Sequence, residues 1–545
     1  MKKTSKYKAG ENRRELLKTL AVATGGAALA GFIPGCGDGG GHGGGIGGNP
    51  ADVDAGGTSP DAAGGVSPDA AGGAIPDAAV QDAAGGAIVD AGPADAAPPP
   101  PDAPPGEPDL VPLRGDGSHP FHYIDTLIVV QMENRSFDHY FGALSLEEGR
   151  ADVEGLQPGM SNPDRDGNPV VPAPLGEAGV YAVAPDPDHG HEGSVYQWNN
   201  GACDGFVRRH QEVIDGEGGG DQTRAPWIMG YYRRTDLPVH YALADAFTLC
   251  DHWYCGLLGP TWPNRYFTHC ASSGGLTANN GLCAEPTPYP LVAAAGYSYR
   301  VYYTSLYFLL TVTSLTVKNA VKLDKFFEDC AAGTLANVNI VEPSFFQNDD
   351  HPPADVRDGQ AFLATVYEAV RTSPQWNRCL MIVTYDEHGG FHDHVSPPES
   401  QGDAIGGEAF GRLGFRVPSI IIGPLAGRGK MFHNVVDHAS LPSLISNLFG
   451  VDHVNERSRL AGDIGAALDL TLVQGANRAP PPALEPVLMD EQGVNRALYA
   501  DMKQPELEAL FRKMGMAHHF SLPERRRLMR DYLLNAKRLG AIKLV

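Results

Sequence analysis

Three largely apolar segments constrain the fold of this chain more than any other feature. Residues 123–131, 379–385 and 417–423 each have the length of a β-strand and are rich in β-branched residues. Residues 356–370, between the first two segments, carry apolar side chains at helical spacing. Strands that are apolar along their whole length, separated by helices, are typical of a mostly parallel sheet covered on both faces. The sequence therefore predicts an α/β domain with one large, mostly parallel sheet flanked by helices.

Polar side chains follow the first two of these segments directly. Glu133 and Asn134 follow the first segment, and Asp386 and Glu387 follow the second. Because ligands of such sheets bind beyond the carboxyl ends of the strands, we expect these residues to meet at one edge. Three carboxylates and an amide form the oxygen-rich set that divalent cations prefer, so the sequence predicts a metal site there. Taken one at a time, each could instead cap a helix or lie in a solvated loop.

Thr261 is the candidate nucleophile. In the segment GPTWPNR, which begins at Gly259, its hydroxyl lies between two prolines in a rigid turn. At the start of a helix, free backbone N–H groups beside such a hydroxyl would also favour a bound phosphate. The alternative is an ordinary turn hydroxyl without a chemical role.

Several separated motifs together resemble one known family. VVQMENRSFDHYFG from Val129, LPVHYALADAFTLCDHWYCGLLGPTWPNRYF from Leu237 and TYDEHGGFHDHVSPP from Thr384 closely resemble the phosphoesterase family of non-specific phospholipases C and related bacterial acid phosphatases. Shorter similarities include DPDHGHEG from Asp186 and DHASLPSLI from Asp437, and the resemblance spans about residues 120–460. It implies an alkaline-phosphatase-like fold with the site at the strand ends.

The resemblance also implies roles for individual residues. Thr261 would be the nucleophile, forming a phospho-threonine that water then hydrolyses. A divalent metal ion of unknown identity would be bound by Glu133, Asn134, Thr261, Asp386 and Glu387.

Four histidines fall in motifs of the same family. By resemblance, His189, His351 and His394 would bind the phosphate or protonate the leaving group. His438 is a further candidate through the DHASLPSLI motif. A histidine taken alone is more often structural than catalytic.

The first 36 residues predict export. Arg13-Arg14 and the modest apolar run after them resemble a twin-arginine signal, and Cys36 ends a possible lipoprotein processing box. Residues 37–115, rich in Gly, Ala, Asp and Pro, predict a disordered linker that tethers a catalytic domain over 116–545. The expected partners are then the twin-arginine export machinery and, through a lipid anchor, a membrane, with the protein in the periplasm or on the outer surface. A short amphipathic N-terminal helix is the alternative.

Charge and cysteine content exclude other classes. The formal net charge is −23, and no sustained basic surface is present to neutralise nucleic-acid phosphates. No CxxC pair has the spacing of a structural zinc site, whereas Cys270 and Cys283 are the nearest candidates for a local disulfide.

The leading functional hypothesis is an exported phospholipase C that acts on phosphatidylcholine-like lipids. An acid phosphatase that uses the same site on phosphorylated small molecules is the first alternative, and an inactive surface binding protein is the second. From about residue 480, the chain is rich in helix formers and predicts C-terminal helices.

Overall fold

The computed structural model describes residues 107–216, 220–304, 307–345, 347–401, 407–499 and 522–545. The predicted export signal, Cys36 and most of the predicted linker lie outside these residues. The described end of that linker contacts the folded domain: the N–H of Leu110 donates to the carbonyl of Val473, and Arg114 donates to the carbonyl of Leu448.

An eight-stranded sheet forms the centre of the domain. In chain order its strands are β1 Thr126–Met132, β2 Thr248–Cys250, β3 Tyr299–Tyr303, β4 Ala320–Lys322, β5 Val338–Val341, β6 Cys379–Tyr385, β7 Ser419–Ile422 and β8 Lys430–Phe432. Across the sheet the order is β8-β2-β7-β6-β1-β5-β3-β4, and only the pairs that include β7 are antiparallel. The predicted large, mostly parallel sheet is therefore confirmed.

Helices pack around this sheet. They are α1 Phe137–Leu146, α2 His191–Trp198, α3 Phe206–Gly216, α4 Pro238–Ala246, α5 Thr261–Cys270, α6 Tyr289–Ala294, α7 Asp324–Ala332, α8 Val356–Arg371, α9 Ser440–Phe449, α10 Glu456–Leu460, α11 Glu491–Tyr499 and α12 Leu522–Arg538. Smaller strand pairs lie outside the sheet: Asn162–Pro163 with Pro169–Val170, Ala173–Pro174 with Gly230–Tyr231, Trp253–Tyr254 with Val436–Asp437, and Val487–Met489 with Ile542–Leu544.

The two central strands position the site. Every residue of β1 and β6 is buried, which agrees with strands covered on both faces. The strands are parallel, and their register pairs Met132 with Tyr385. The next residues in each strand, Glu133 and Asp386, therefore leave the sheet at the same level.

The C-terminal segment returns to the sheet-covering helices. The hydroxyl of Tyr367 in α8 donates to the carbonyl of Pro482, and the N–H of Leu484 donates to Glu368. Cys270 and Cys283 are buried free thiols, so the structure does not contain the disulfide considered for them. None of the described helices is both long enough and apolar enough to cross a membrane.

Candidate active site

The residues that follow β1 and β6 meet at one edge of the sheet. Glu133, Asn134, Asp386 and Glu387 are all fully buried. Asn134 has a left-handed backbone, with a φ of 63°, and its N–H donates to Oδ1 of Asp386 at 3.0 Å. The N–H of Arg135 donates to the carbonyl of Glu387 at 3.0 Å. These hydrogen bonds tie the two strand ends together, so the expected oxygen-rich set forms one cluster.

Thr261 reaches this cluster from a different part of the chain. It is the first residue of α5, it is buried, and its hydroxyl donates to Oδ1 of Asn134 at 3.4 Å. The N–H of Trp262 donates to Oδ1 of Asn279 at 2.8 Å, which fixes the first turn of the helix. The hydroxyl thus lies at a helix N-terminus, where the helix dipole favours an anion.

Arg265 is a site residue that the sequence did not single out. Its buried guanidinium lies 3.2 Å from carboxylate oxygens of Glu133, Glu342 and Asp386. It follows Thr261 by four residues and therefore shares its helix face, and this spacing is the signal that could have identified it.

The pKa values of the carboxylates reflect their burial. Burial raises the pKa of Asp386 to about 7, with Arg265 opposing the shift and Glu133 adding to it. Burial likewise raises the pKa of Glu387 well above its ordinary range, although His189 opposes the shift. Ionised carboxylates are therefore costly here unless a further positive charge is present.

His189 and His351 lie beside the carboxylate cluster. Nε2 of His189 is 4.0 Å from Oε1 of Glu387, and the two imidazole rings are 5.7 Å apart. Burial disfavours the charged form of His189, but Glu387 and Asp186 outweigh it and raise its pKa to about 9. Ligand atoms of Asp186, His189 and His351 all lie within 4.8 Å of one another, so this group could also hold a metal ion. Asp186 was present in the DPDHGHEG motif but was not singled out.

His394 belongs to a second cluster. Its Nδ1 lies 2.6 Å from Oδ2 of Asp138, and Arg416 pairs with both Asp138 and Asp393. Ligand atoms of Asp138, Asp393 and His394 are close enough to bind an ion, but the Arg416 guanidinium already supplies the positive charge. The structure thus groups His394 with a buried ion-pair network around Arg416.

His438 contacts the backbone of the site at Asp386. Its Nε2 donates to the backbone carbonyl of Asp386 at 2.6 Å, and its Nδ1 accepts from the indole of Trp253 at 3.3 Å. Burial lowers the pKa of His438 to about 4, which keeps the ring neutral. These contacts fit a positioning role for His438.

The acidic edge of the sheet, formed by the carboxylates of Glu133, Asp386 and Glu387, fits a divalent cation. Oε1 of Glu387 is buried without a hydrogen-bond partner among the described residues. At this edge, Arg265 is within ion-pair distance of Glu133, Glu342 and Asp386, and His189 is within ion-pair distance of Glu387. Four carboxylates thus share two basic side chains, and oxygen donors of this kind suit a hard or borderline metal ion.

Comparisons with known proteins agree with this geometry. The phosphoesterase family profile matches residues 124–452. Non-specific phospholipase C4 of Arabidopsis thaliana is 32% identical over 407 residues, 64% of this chain and 72% of that protein. Phospholipase C B of Mycobacterium tuberculosis is 30% identical over 445 residues, 69% of this chain and 82% of that protein.

A solved structure of a protein in the alkaline phosphatase superfamily from Vibrio parahaemolyticus matches 43% of this chain and 66% of its own, with 14% identity and a TM-score of 0.27. The family profile covers more than half of this chain, and the motifs that carry the resemblance line the buried acidic edge described above. The chain therefore belongs to the phosphoesterase family.

Proposed function

We propose that this chain is an exported phospholipase C that hydrolyses phosphatidylcholine-like lipids through a phospho-threonine on Thr261. Membership of the phosphoesterase family makes the chain a phosphoric ester hydrolase. The observation that carries the proposal is the position of the Thr261 hydroxyl, at the first residue of α5 and in contact with Asn134 of the acidic edge. The relatives named phospholipase C support a lipid diester as the substrate.

In the first half of the reaction, Oγ1 of Thr261 attacks the phosphorus atom and releases its proton to solvent. The bond between phosphorus and the diacylglycerol oxygen breaks, and that oxygen takes a proton from His189, which is held between Glu387 and Asp186. The N-terminus of α5 stabilises the charge on the phosphoryl oxygens.

In the second half, water attacks the phospho-threonine. The bond between phosphorus and Oγ1 of Thr261 breaks, Oγ1 takes a proton from solvent to restore the threonine hydroxyl, and the phosphorylated alcohol leaves. His189, which lost its proton in the first half, accepts one from the attacking water.

Glu133, Asn134, Thr261, Asp386 and Glu387 would hold a divalent cation. Such a cation lowers the pKa of a nearby hydroxyl and offsets phosphoryl charge. The acidic edge fits this role because it gathers several buried carboxylates around Arg265 and His189.

The proposal includes export by the twin-arginine machinery, with a lipid anchor at Cys36 that holds the protein at a membrane in the periplasm or on the outer surface. The support is the sequence of residues 1–36. Cell fractionation of the full chain and of Cys36→Ala tests the anchor: the variant should move from the membrane to the soluble exported fraction.

The activity test compares p-nitrophenylphosphorylcholine with p-nitrophenyl phosphate, using the full chain with and without EDTA. Thr261→Ala should lose at least about a thousandfold in kcat/KM, since removing a nucleophile removes the covalent step. Thr261→Ser is the matched control, because it keeps a hydroxyl at the same place and should retain activity. Mass spectrometry of the acid-quenched enzyme should find the phosphoryl adduct on Thr261.

The outcomes separate the alternatives. Preference for the choline diester supports the phospholipase C, whereas preference for the monoester makes the chain an acid phosphatase. Full activity in Thr261→Ala contradicts the phospho-threonine, and inactivity towards both substrates leaves the surface binding protein.

A further inference from the structure

A cavity of about 690 Å³ is lined in part by Leu258 and His191, which are close in the chain to Thr261 and His189. Its walls include α2, Leu258 and the strand-like segments that contain Glu399 and Arg412. Nδ1 of His191, in α2, lies 2.5 Å from the carbonyl of Leu258, which joins two of the walls. Leu258 precedes Thr261 by three residues and His191 follows His189 by two, so the walls continue into the segments that carry the reacting groups.

The lining combines apolar surface with two carboxylates. Val195, Leu258 and Ala409 contribute apolar surface. Glu192 and Glu399 are exposed in the cavity, and neither has an ion-pair partner in the described part of the chain.

The cationic side chain of Arg412 is already engaged. Its guanidinium lies over the ring of Trp198, 4.6 Å from the ring centroid, and it donates to the carbonyl of Pro397. It forms no ion pair with Glu192 or Glu399, although a backbone bridge joins residues 399 and 412. The cavity therefore presents the carboxylates of Glu192 and Glu399, neither of them paired with Arg412, beside an apolar wall.

We infer that this cavity is a specificity subsite for the substituent that stays on the phosphoryl group, and that Glu192 and Glu399 select an alkylammonium group on it. The inference rests on the proposed function. A cationic nitrogen pairs with the carboxylates, and its methyl or methylene groups contact the apolar wall. An acyl chain in the same place would cover ionised carboxylates without compensating their charge, which is unfavourable.

The test isolates charge from shape with two diesters. One is p-nitrophenylphosphorylcholine, and the other is p-nitrophenyl 3,3-dimethylbutyl phosphate, in which carbon replaces the charged nitrogen. The full chain is compared with Glu192→Gln, Glu399→Gln and the double variant. Glu485→Gln is the matched control, because Glu485 is an exposed carboxylate outside the cavity lining.

Each single variant should lower kcat/KM for the choline diester by about threefold, and the double variant by about tenfold, since exposed charge pairs are weak. The loss should appear mainly in KM. The dimethylbutyl diester, whose side group carries no charge, should be hydrolysed equally by all chains, and 1 M salt should reduce the choline preference of the unmodified chain.

Three results would overturn the inference. Equal losses of kcat/KM on both diesters in the double variant would mean that the cavity walls select the substrate by shape and not by charge. If the double variant kept normal activity and an unchanged ratio of kcat/KM between the two diesters, the headgroup would bind elsewhere. The proposed function would then still hold. Hydrolysis of neither diester by the unmodified chain would refute the proposed function and this subsite together.

Discussion

Replacing Arg265 by methionine tests whether one buried guanidinium holds the acidic edge together. Arg265 is fully buried and lies 3.2 Å from carboxylates of Glu133, Glu342 and Asp386. Removing one partner of a buried ion pair costs about 3–5 kcal/mol, because the remaining charge has no compensation. Methionine keeps much of the side-chain volume, so packing contributes little to the change. We expect the free energy of unfolding to fall by at least about 3 kcal/mol, with loss of activity.

Urea unfolding followed by tryptophan fluorescence measures this change. Arg165→Met is the matched control: it breaks the 2.6 Å pair with Asp215, but those side chains are 42% and 51% exposed, so it should cost far less stability than Arg265→Met. Adding Glu342→Gln to Arg265→Met removes one unpaired charge and should recover part of the loss. A cost for Arg265→Met no larger than that for Arg165→Met would refute the reasoning.

Three further predictions concern single residues. Glu387→Gln should reduce divalent-metal affinity at least about tenfold in a metal-binding titration, because it removes a charged donor. His438→Leu should cost about 1–2 kcal/mol in urea unfolding by leaving the Asp386 carbonyl unpaired, and His438→Gln, which keeps an N–H donor, should cost less. Burial raises the pKa of Asp358 to about 7, and Arg496 opposes this only in part. The stability from the neutral carboxyl is present below about pH 4 and is lost as pH rises through 7, so Asp358→Asn should remove up to about 4 kcal/mol of the decline between pH 4 and pH 8 in urea unfolding.

The sequence predicted the central strands better than the edges of the sheet. Residues 379–385 form β6 without a shift, and residues 356–370 fall within α8. Residues 417–423 do contain β7, but β7 is antiparallel to its neighbours, a direction that an apolar segment does not encode. The five strands β2, β3, β4, β5 and β8 were not predicted, since each has only three to five residues, too few to show a clear periodicity.

The site could likewise be predicted only in part from the sequence. The meeting of Glu133 with Asp386 follows from two parallel strands in register, which sequence pattern can predict. The approach of Thr261 depended on the family resemblance, because α5 is far from both strands in the chain. Arg265 and Glu342 became recognisable only through tertiary burial, which brings a guanidinium and a carboxylate 77 residues apart within 3.2 Å.

One loop links the two buried ionic clusters, and two of its glycines allow the close backbone contacts that this link requires. The segment after β6 supplies Asp386 and Glu387 to the acidic edge and His394 to the network around Arg416. Between them, Gly389 and Gly390 have φ values of 66° and 72°, which favour glycine. A Cβ on Gly389 would lie 2.2 Å from the carbonyl oxygen of Asn134, and one on Gly390 would lie 2.6 Å from that of Asp188. The loop can therefore lie directly against Asn134, which contacts Thr261, and against Asp188, which precedes His189. The glycine pair thus gives the short YDEHGGFHDHV motif a physical reason: it lets one turn of backbone hold the acidic edge, the nucleophile's partner and the histidine segment in contact.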